Sequence, residues 1–250
     1  MSVKVLKLKD QETGSFAGGA ILENKPIGFP QDGGNQKPYS NLFYWANAWS
    51  DDGGLIGEHP HKMFEIMSFV IEGEIEHYDS KLNGWLTLSK GDAQIIRSGN
   101  GITHAERIKE GGRMFQIWFD PNIQKTMNQP ATYNDYKSED MYYYKENNVS
   151  YKNYIGNGGP VQMDSEGVEI NELLIPTGNH RLELDMTKIH SFYLIDGEVS
   201  IDGKGILEHD FIIIEDENEI SIVANKNAQL FSIAVPKQLS YKTYLELVKQ

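Results

Sequence analysis

A short motif occurs twice in this sequence. The segment Phe69–Ile75 (FVIEGEI) matches Tyr193–Val199 (YLIDGEV) position by position. Each copy places an acidic residue and a glycine between two apolar runs, a pattern typical of a β-hairpin. Residues 91–96 (GDAQII) likewise resemble residues 209–214 (HDFIII). The repeat predicts two related β domains in one chain.

Short segments rich in β-branched and aromatic residues continue through both halves, each bounded by Gly, Asp, Asn or Pro. This spacing is typical of an antiparallel sandwich or barrel, so we expect an all-β fold. In the first half, strands are predicted at residues 41–49, 65–71, 74–78, 84–88, 93–97 and 113–119. In the second half, they are predicted at 169–175, 181–184, 191–195, 198–201, 211–214, 219–223 and 230–235.

The pattern changes in two places. Residues 131–160 are polar and rich in tyrosine, and we interpret them as a connection whose rings pack over both halves instead of facing water. The expected domains are therefore residues 1–130 and 161–250. Near the C-terminus, apolar residues recur at helical spacing, which predicts a short helix between Ser240, its N-cap, and Lys249.

Two stretches carry the side chains best suited to bind a metal. His59 and His61 flank Pro60, and His104 and Glu106 flank Ala105. Residues i and i+2 of a strand face the same side, and neighbouring strands lie about 4.8 Å apart. Two such strands would aim three imidazoles and one carboxylate at a common point. This donor set suits a first-row transition metal and leaves positions open for chemistry.

The second copy lacks this donor set. At the offset of the first match, His59 and His61 fall on Glu183 and Asp185. At the offset of the second match, His104 and Glu106 fall on Ile222 and Ala224, so we expect one metal, bound only in the first domain. His77 lies just before a predicted hairpin turn and is interpreted as a turn residue, not a ligand. His180, His190 and His209, in the copy without the donor set, are interpreted as structural.

Composition narrows the classes of function. The 250 residues include 23 Lys and Arg against 36 Asp and Glu, a net charge of −13, which argues against a nucleic-acid partner. There is no cysteine, hence no disulfide framework or thiolate chemistry. No apolar run reaches membrane-span length and no secretory signal is visible, so we expect a cytoplasmic protein without a membrane partner.

Several of these motifs together resemble the pirin family of the cupin superfamily. The resemblance covers residues 41–133 and is carried by His59-Pro60-His61, Phe64-Glu65, Glu72-Gly73-Glu74, His77, Asp79-Ser80, Gly91-Asp92 and the segment from Gly99 to Glu106. It implies a bicupin, which is two cupin-type double-stranded β-helix (jelly-roll barrel) domains in tandem. It also implies one metal, usually iron, bound by His59, His61, His104 and Glu106. Lys62-Met63 departs from the family, which commonly has Arg-Gly there.

The resemblance leads to two hypotheses for function. The first is a quercetin 2,3-dioxygenase-type enzyme that cleaves a flavonol or related enolizable aromatic with O2. Fe(II) is the expected metal, with Ni, Mn, Co, Cu and Zn as alternatives. The second is a non-catalytic metal-binding or redox-sensing module that acts through a protein partner, as eukaryotic pirins act as transcription cofactors. A turnover assay separates the two.

Two further side chains have open roles. Glu65 follows the His-Pro-His stretch, and either Glu65 or Glu106 is expected to serve as the catalytic base. Glu65 is otherwise expected near the metal, helping to orient an imidazole. The Gln116 amide is expected either to contact water or substrate, or to be a satisfied polar group of the core.

Overall fold

A computed structural model describes residues 2–249, and these form 22 strands and two short α-helices. The first twelve strands are β1 (Ser2–Leu6), β2 (Glu12–Phe16), β3 (Ile21–Ile27), β4 (Leu42–Ser50), β5 (Gly54–His61), β6 (Glu65–Glu72), β7 (Glu74–Asp79), β8 (Gly84–Ser89), β9 (Ala93–Arg97), β10 (Ile102–Ile108), β11 (Gly112–Phe119) and β12 (Thr132–Tyr136). The others are β13 (Tyr142–Glu146), β14 (Val149–Ile155), β15 (Glu169–Ile175), β16 (Gly178–Glu183), β17 (Lys188–Asp196), β18 (Glu198–Ile201), β19 (Lys204–Leu207), β20 (Phe211–Glu215), β21 (Glu219–Ala224) and β22 (Ala228–Pro236). The helices are α1 (Ile123–Thr126) and α2 (Tyr244–Val248).

The strands form four antiparallel sheets, two in each of two compact units. The first unit comprises residues 11–140, 163–166 and the C-terminal segment from Leu239. Its sheets have the strand orders β12-β9-β6-β11-β4-β3-β2 and β5-β10-β7-β8. Side chains from both sheets meet in one apolar cluster of Ile21, Ala48, Val70, Ile75, Leu88, Ile108 and Met114, so the two sheets enclose a common interior.

The second unit repeats this arrangement. It comprises the residues up to Asp10, 141–162 and 167–238, with sheets ordered β1-β20-β17-β22-β15-β14-β13 and β16-β21-β18-β19. Strand for strand, both orders correspond to those of the first unit. The matching hairpins β6–β7 and β17–β18 turn at Gly73 and Gly197, which have φ of 64° and 106° and so use the left-handed region that favours glycine. The all-β fold with two repeated units is confirmed.

The unit boundaries differ from those expected from the sequence. Residues 131–160 do not form a separate connection, because they supply β12 to the first unit and β13 and β14 to the second. The N-terminal strand β1 pairs with β20 and therefore belongs to the second unit. The expectation that the tyrosines of residues 131–160 avoid water is wrong for Tyr142 and Tyr143, whose exposed fractions are 48% and 55%.

The C-terminal helix is shorter than expected. It spans Tyr244–Val248, and its N-cap is Thr243, not Ser240. Thr243 and Glu246 form a reciprocal capping box, which satisfies the amides of the first turn. Among the described residues, no helix is both long and apolar enough to cross a membrane.

Candidate metal centre

The paired strands β5 and β10 bring the two histidine-containing stretches together. His59 lies opposite His104, and His61 lies opposite Ile102. The register then shifts between His104 and Glu106, so that Glu106 pairs with Ile56. This β-bulge adds one residue to β5 and allows Ile56 to face the interior together with the two histidines.

Three imidazoles meet at this point. The ligand atoms of His59, His61 and His104 all lie within 4.8 Å of one another, and the ring centroids are 4.5 to 4.6 Å apart. The His59 and His104 Nε2 atoms are 3.0 Å apart. His104 is completely buried, whereas His59 and His61 are partly exposed at the end of the interior.

Burial keeps the His61 and His104 imidazoles neutral. It lowers the pKa of His61 to about 3, helped by the neighbouring His104 and His59. Burial likewise lowers the pKa of His104 to about 2, with further contributions from His59 and His77. Neutral imidazole is the form that binds metals, so the site offers lone pairs at neutral pH.

The hydrogen bonds of the site fit a bound metal ion. His59 Nδ1 donates to the Gly57 carbonyl oxygen at 2.8 Å, which leaves Nε2 with its lone pair. His61 Nε2 and His104 Nδ1 are buried without a hydrogen-bond partner in the described residues. Two nitrogen ligands bound about 2.1 Å from one ion at a right angle are about 3.0 Å apart. The His59–His104 separation therefore suits an ion held by both Nε2 atoms.

Glu106 is buried beside His104 and is fixed by two donors. Ser68 Oγ donates to Glu106 Oε1 at 3.2 Å, and Gln116 Nε2 donates to Oε2 at 2.5 Å. Trp118 Nε1 in turn donates to Gln116 Oε1 at 3.1 Å, which determines the orientation of the amide. The amide of Gln116 is thus a partner of the carboxylate, one of the two roles expected for it.

The interpretation of His77 as a turn residue is wrong. His77 lies inside β7, opposite Glu106 on β10, and is only 1% exposed. The ligand atoms of His77, His104 and Glu106 form a second group within 4.8 Å. The structure therefore arranges the expected donors as two overlapping triads that share His104, and it adds His77. The alternation of β7 (inward at Ile75, His77 and Asp79) was the signal for this placement.

Glu65 does not lie at the candidate metal centre. Ser68 of β6 faces the interior, and Glu65, three residues earlier on the same strand, faces the opposite side of the sheet. Its carboxylate accepts hydrogen bonds from the Asp164 and Ser165 amides and from Ser165 Oγ at 2.7 to 2.8 Å. The role expected for Glu65, as a base or an orienting group near the metal, is therefore corrected: it holds residues 163–166 against β6.

Aromatic side chains line the interior beside the imidazoles. Trp118 packs edge-on against His61, with ring centroids 4.8 Å apart. Tyr44 and Phe29 continue this wall, stacked at 4.3 Å. Phe43 and Phe64 extend it toward α2, where Tyr244 packs on both rings. These rings form an apolar aromatic surface beside the candidate metal centre, and surfaces of this kind bind planar ligands.

Met63 occupies an unusual backbone conformation. Its φ is 75°, in the left-handed region that favours glycine, and its amide donates to the Gly99 carbonyl oxygen at 2.9 Å. The family's usual glycine would adopt this conformation without strain. The Lys62-Met63 departure therefore adds an apolar side chain to the cluster around Phe43 and Phe64.

The second unit fills the equivalent space with hydrocarbon. Ile222 and Ala224 belong to its buried core together with Leu182, Val199 and Ile201. Ile222 pairs with Ile201 as Glu106 pairs with His77, so Ile222 corresponds to Glu106 and Ile220 to His104. The residue paired with Ile220 is Leu182, so Leu182 and not Glu183 corresponds to His59. His180 Nε2 hydrogen-bonds to the Pro176 carbonyl oxygen at 2.7 Å. Within the described residues, both groups of metal-competent side chains lie in the first unit.

Comparisons with known proteins agree with this description. The sequence model of the pirin family matches residues 37–119. Quercetin 2,3-dioxygenase of Escherichia coli K12 is 41% identical over 68 residues, covering 26% of this chain and 29% of that protein. A Pirin-like protein of Caulobacter vibrioides is 43% identical over 89 residues, covering 32% of this chain and 38% of that protein. The alignments to two other relatives, from Zymomonas mobilis and Pseudomonas aeruginosa, span 35% and 34% of those proteins.

Solved structures extend the similarity to the whole fold. The bacterial pirin YhhW of Escherichia coli, in complex with nickel(II), has a TM-score of 0.77 at 19% identity and covers 95% of this chain and 100% of that chain. Quercetin 2,3-dioxygenase of Acinetobacter baumannii has a TM-score of 0.80 at 17% identity, covering 99% and 86%. The chain therefore has the bicupin fold, built from two cupin-type double-stranded β-helix domains, and its resemblance to the pirin family is confirmed.

Proposed function

We propose that this chain is a mononuclear metal-dependent dioxygenase that uses O2 to cleave the ring of a flavonol-like or related enolizable aromatic. The observation that carries the proposal is the contact of a cluster of three imidazoles, through His61, with an aromatic wall. His61 lies between the other two histidines and Trp118, so a planar substrate resting on that wall would have its oxygens beside the metal ligands.

The proposed ligands are His59, His61, His104 and Glu106, all in the first unit. Three neutral donors and one anion would leave a divalent ion with residual positive charge. When bound, the ion would supply a template and a Lewis acid for the substrate oxygens. Fe(II) is the proposed metal; nickel, manganese, cobalt, copper and zinc suit the same donors, because affinity alone does not select among them.

The protein side chains have three tasks in this reaction. Trp118, Tyr44 and Phe29 hold the aromatic substrate and exclude bulk water. Glu106 is the proposed acceptor of the substrate's hydroxyl proton, and Gln116 and Ser68 hold its carboxylate in place. The His61 and His104 imidazoles keep their lone pairs available to the ion, since burial prevents their protonation near neutral pH.

The relatives support this choice of reaction. The Escherichia coli relative carries the name quercetin 2,3-dioxygenase, and so does the Acinetobacter baumannii structural neighbour. The nickel(II) complex of YhhW shows that a pirin of the same fold accepts a transition metal.

A combined metal and turnover experiment tests the proposal. The protein is purified without chelator, analysed for metal, and loaded anaerobically with Fe(II). We expect about one metal per chain, a nitric oxide adduct detectable by electron paramagnetic resonance, perturbation of that signal by quercetin, and consumption of quercetin with O2 uptake. His104→Ala should abolish all four. His180→Gln changes a buried histidine on β16, the strand of the second unit that takes the place of β5, and it should change none of the four.

The outcomes separate the two hypotheses. A protein that binds one metal but takes up no nitric oxide, no quercetin and no catechol-like chelator has a closed site, and the non-catalytic binding module then replaces the enzyme. A protein that binds no metal, or two equivalents, contradicts the proposed site itself.

A further inference from the structure

His77 is a buried histidine that the four-ligand set does not use. We propose that His77 is a fifth protein ligand of the same metal ion, oriented by Asp79; the proposal rests on the metal-dependent function proposed above. Three observations support it: the tautomer of His77, its unpartnered nitrogen, and its distance from two of the other donors.

Asp79 determines the tautomer of His77. His77 Nε2 lies 3.2 Å from Asp79 Oδ2, and Asp79 Oδ1 accepts the backbone amides of Lys81 and Leu82 at 2.7 and 2.8 Å. A carboxylate that accepts two amides at one oxygen acts as an acceptor at the other. The proton of His77 is therefore on Nε2, and Nδ1 carries the lone pair.

That lone pair has no partner. His77 Nδ1 is buried and makes no hydrogen bond to any described residue. An unsatisfied buried acceptor destabilises the folded state, so a buried Nδ1 lone pair needs a partner that compensates for lost water. An imidazole that donates one N–H to a carboxylate and directs its other nitrogen into a polar interior has the arrangement of a metal ligand.

His77 is close enough to the other donors to share an ion with them. The ligand atoms of His77, His104 and Glu106 lie within 4.8 Å of one another. Two donors on opposite sides of one ion are about 4.2 Å apart, so these three donors need only a small side-chain adjustment to share an ion. His104 belongs to both groups and so connects His77 to the triad with His59 and His61. All three residues are fully buried, in contrast to the partly exposed His59 and His61.

A fifth ligand changes what the site offers to a substrate. With four protein ligands, a six-coordinate ion keeps two positions for a substrate that binds through two adjacent oxygens. With His77 bound, only one position remains. His77 therefore competes with the second oxygen of such a substrate, and its departure opens the site.

Cobalt(II)-loaded protein provides a direct count of histidine ligands. Each ligating imidazole with a retained N–H gives one strongly shifted proton resonance in H2O that disappears in D2O. We expect four such resonances in the wild-type protein and three in His77→Gln. His180→Gln is the matched control, because His180 is a buried histidine of the second unit, and it should retain four.

Binding measurements give a second readout. His77→Gln should weaken cobalt(II) binding at least tenfold and strengthen binding of the bidentate ligand 4-nitrocatechol to the cobalt form at least tenfold. A wild-type count of three overturns the proposal, even if His77→Gln does not fold, and leaves the proposed function intact. Failure of the wild-type protein to bind cobalt at all counts against the proposed function instead.

Discussion

The His59 and His104 Nε2 atoms lie 3.0 Å apart on strands that pair antiparallel. Two neutral imidazoles at this distance satisfy each other only if one of them donates. A metal ion satisfies both, and it would also provide a partner for the buried His61 Nε2. An ion at this point would therefore stabilise the site.

Replacing a ligand should remove the metal and spare the fold. In His61→Ala or His104→Ala, the metal content measured by elemental analysis should fall below about a tenth of an equivalent, since each change deletes a donor of the central triad. The circular dichroism spectrum should be retained, because both units have their own apolar cores. Loss of the fold along with the metal would show that the ion is required for folding.

Replacing Gln116 should weaken the site without emptying it. Gln116→Ala removes the donor to Glu106 Oε2, and partners of this kind typically change metal affinity by about 10–100-fold. Trp118→Phe removes the hydrogen bond to the amide but keeps an aromatic ring beside His61, and it should have a smaller effect. Competition with a metal-sensitive dye measures both. Unchanged affinity in Gln116→Ala would mean that the Glu106 carboxylate does not depend on this contact.

Replacing Glu65 should affect stability and not metal binding. Glu65→Ala leaves the Asp164 and Ser165 amides without their acceptor, at a cost of about 1–3 kcal/mol in the free energy of unfolding. Metal content should remain at the wild-type level. Urea denaturation and elemental analysis of the same preparation test the two parts. If Glu65→Ala lost its metal but kept the wild-type free energy of unfolding, Glu65 would have a role in metal binding and not in stability.

Asp120 should make the free energy of unfolding decrease as the pH rises from mildly acidic to neutral. Burial raises the pKa of Asp120 to about 7, partly offset by the Tyr244 amide that donates to its Oδ2. The unfolded chain releases this proton near pH 3.8, so between about 4 and 7 the folded state holds more protons than the unfolded state. Asp120 therefore favours the fold at low pH, and this contribution is lost as pH rises through 7.

Asp120→Asn should remove this pH dependence, because asparagine keeps the acceptor without the charge. The difference between the free energy of unfolding of Asp120→Asn and that of the wild type should increase as the pH rises from 4 to 7. The increase is at most about 1.4 kcal/mol per pH unit. The measurement is chemical denaturation at several pH values in the metal-free protein. Asp52→Asn, at an exposed turn position, is the control and should follow the wild type. Parallel curves for wild type and Asp120→Asn would contradict the raised pKa.

The sequence predicted the fold class because the repeated hairpin and the turn residues act locally. The β6–β7 and β17–β18 hairpins form where the EGE and DGE turns occur. The period of two also placed His59 and His104 correctly on adjacent strands, since that side-by-side arrangement needs only two alternating stretches.

Long-range pairing could not be predicted from local patterns. β1 reaches its partner β20 only through the tertiary fold, and Glu65 finds Asp164 across 99 residues. His77 was misinterpreted because its position near the turn was given more weight than the alternation of inward-facing and outward-facing residues along β7. Glu183 was matched to His59 by a constant offset, but the two units differ in loop length and the register selects Leu182.

The correspondence of strand orders gives β1 the place in the second unit that β12 has in the first. In a simple duplication this strand would follow β22, but here it is synthesised before the other strands of its sheet. A ribosome adds about 5–20 residues per second, so Ser2–Leu6 waits for roughly ten to forty seconds before Phe211–Glu215 has been synthesised. Until then its backbone donors and acceptors have no sheet partner, so this segment is open to pairing with other strand edges until β20 has been made.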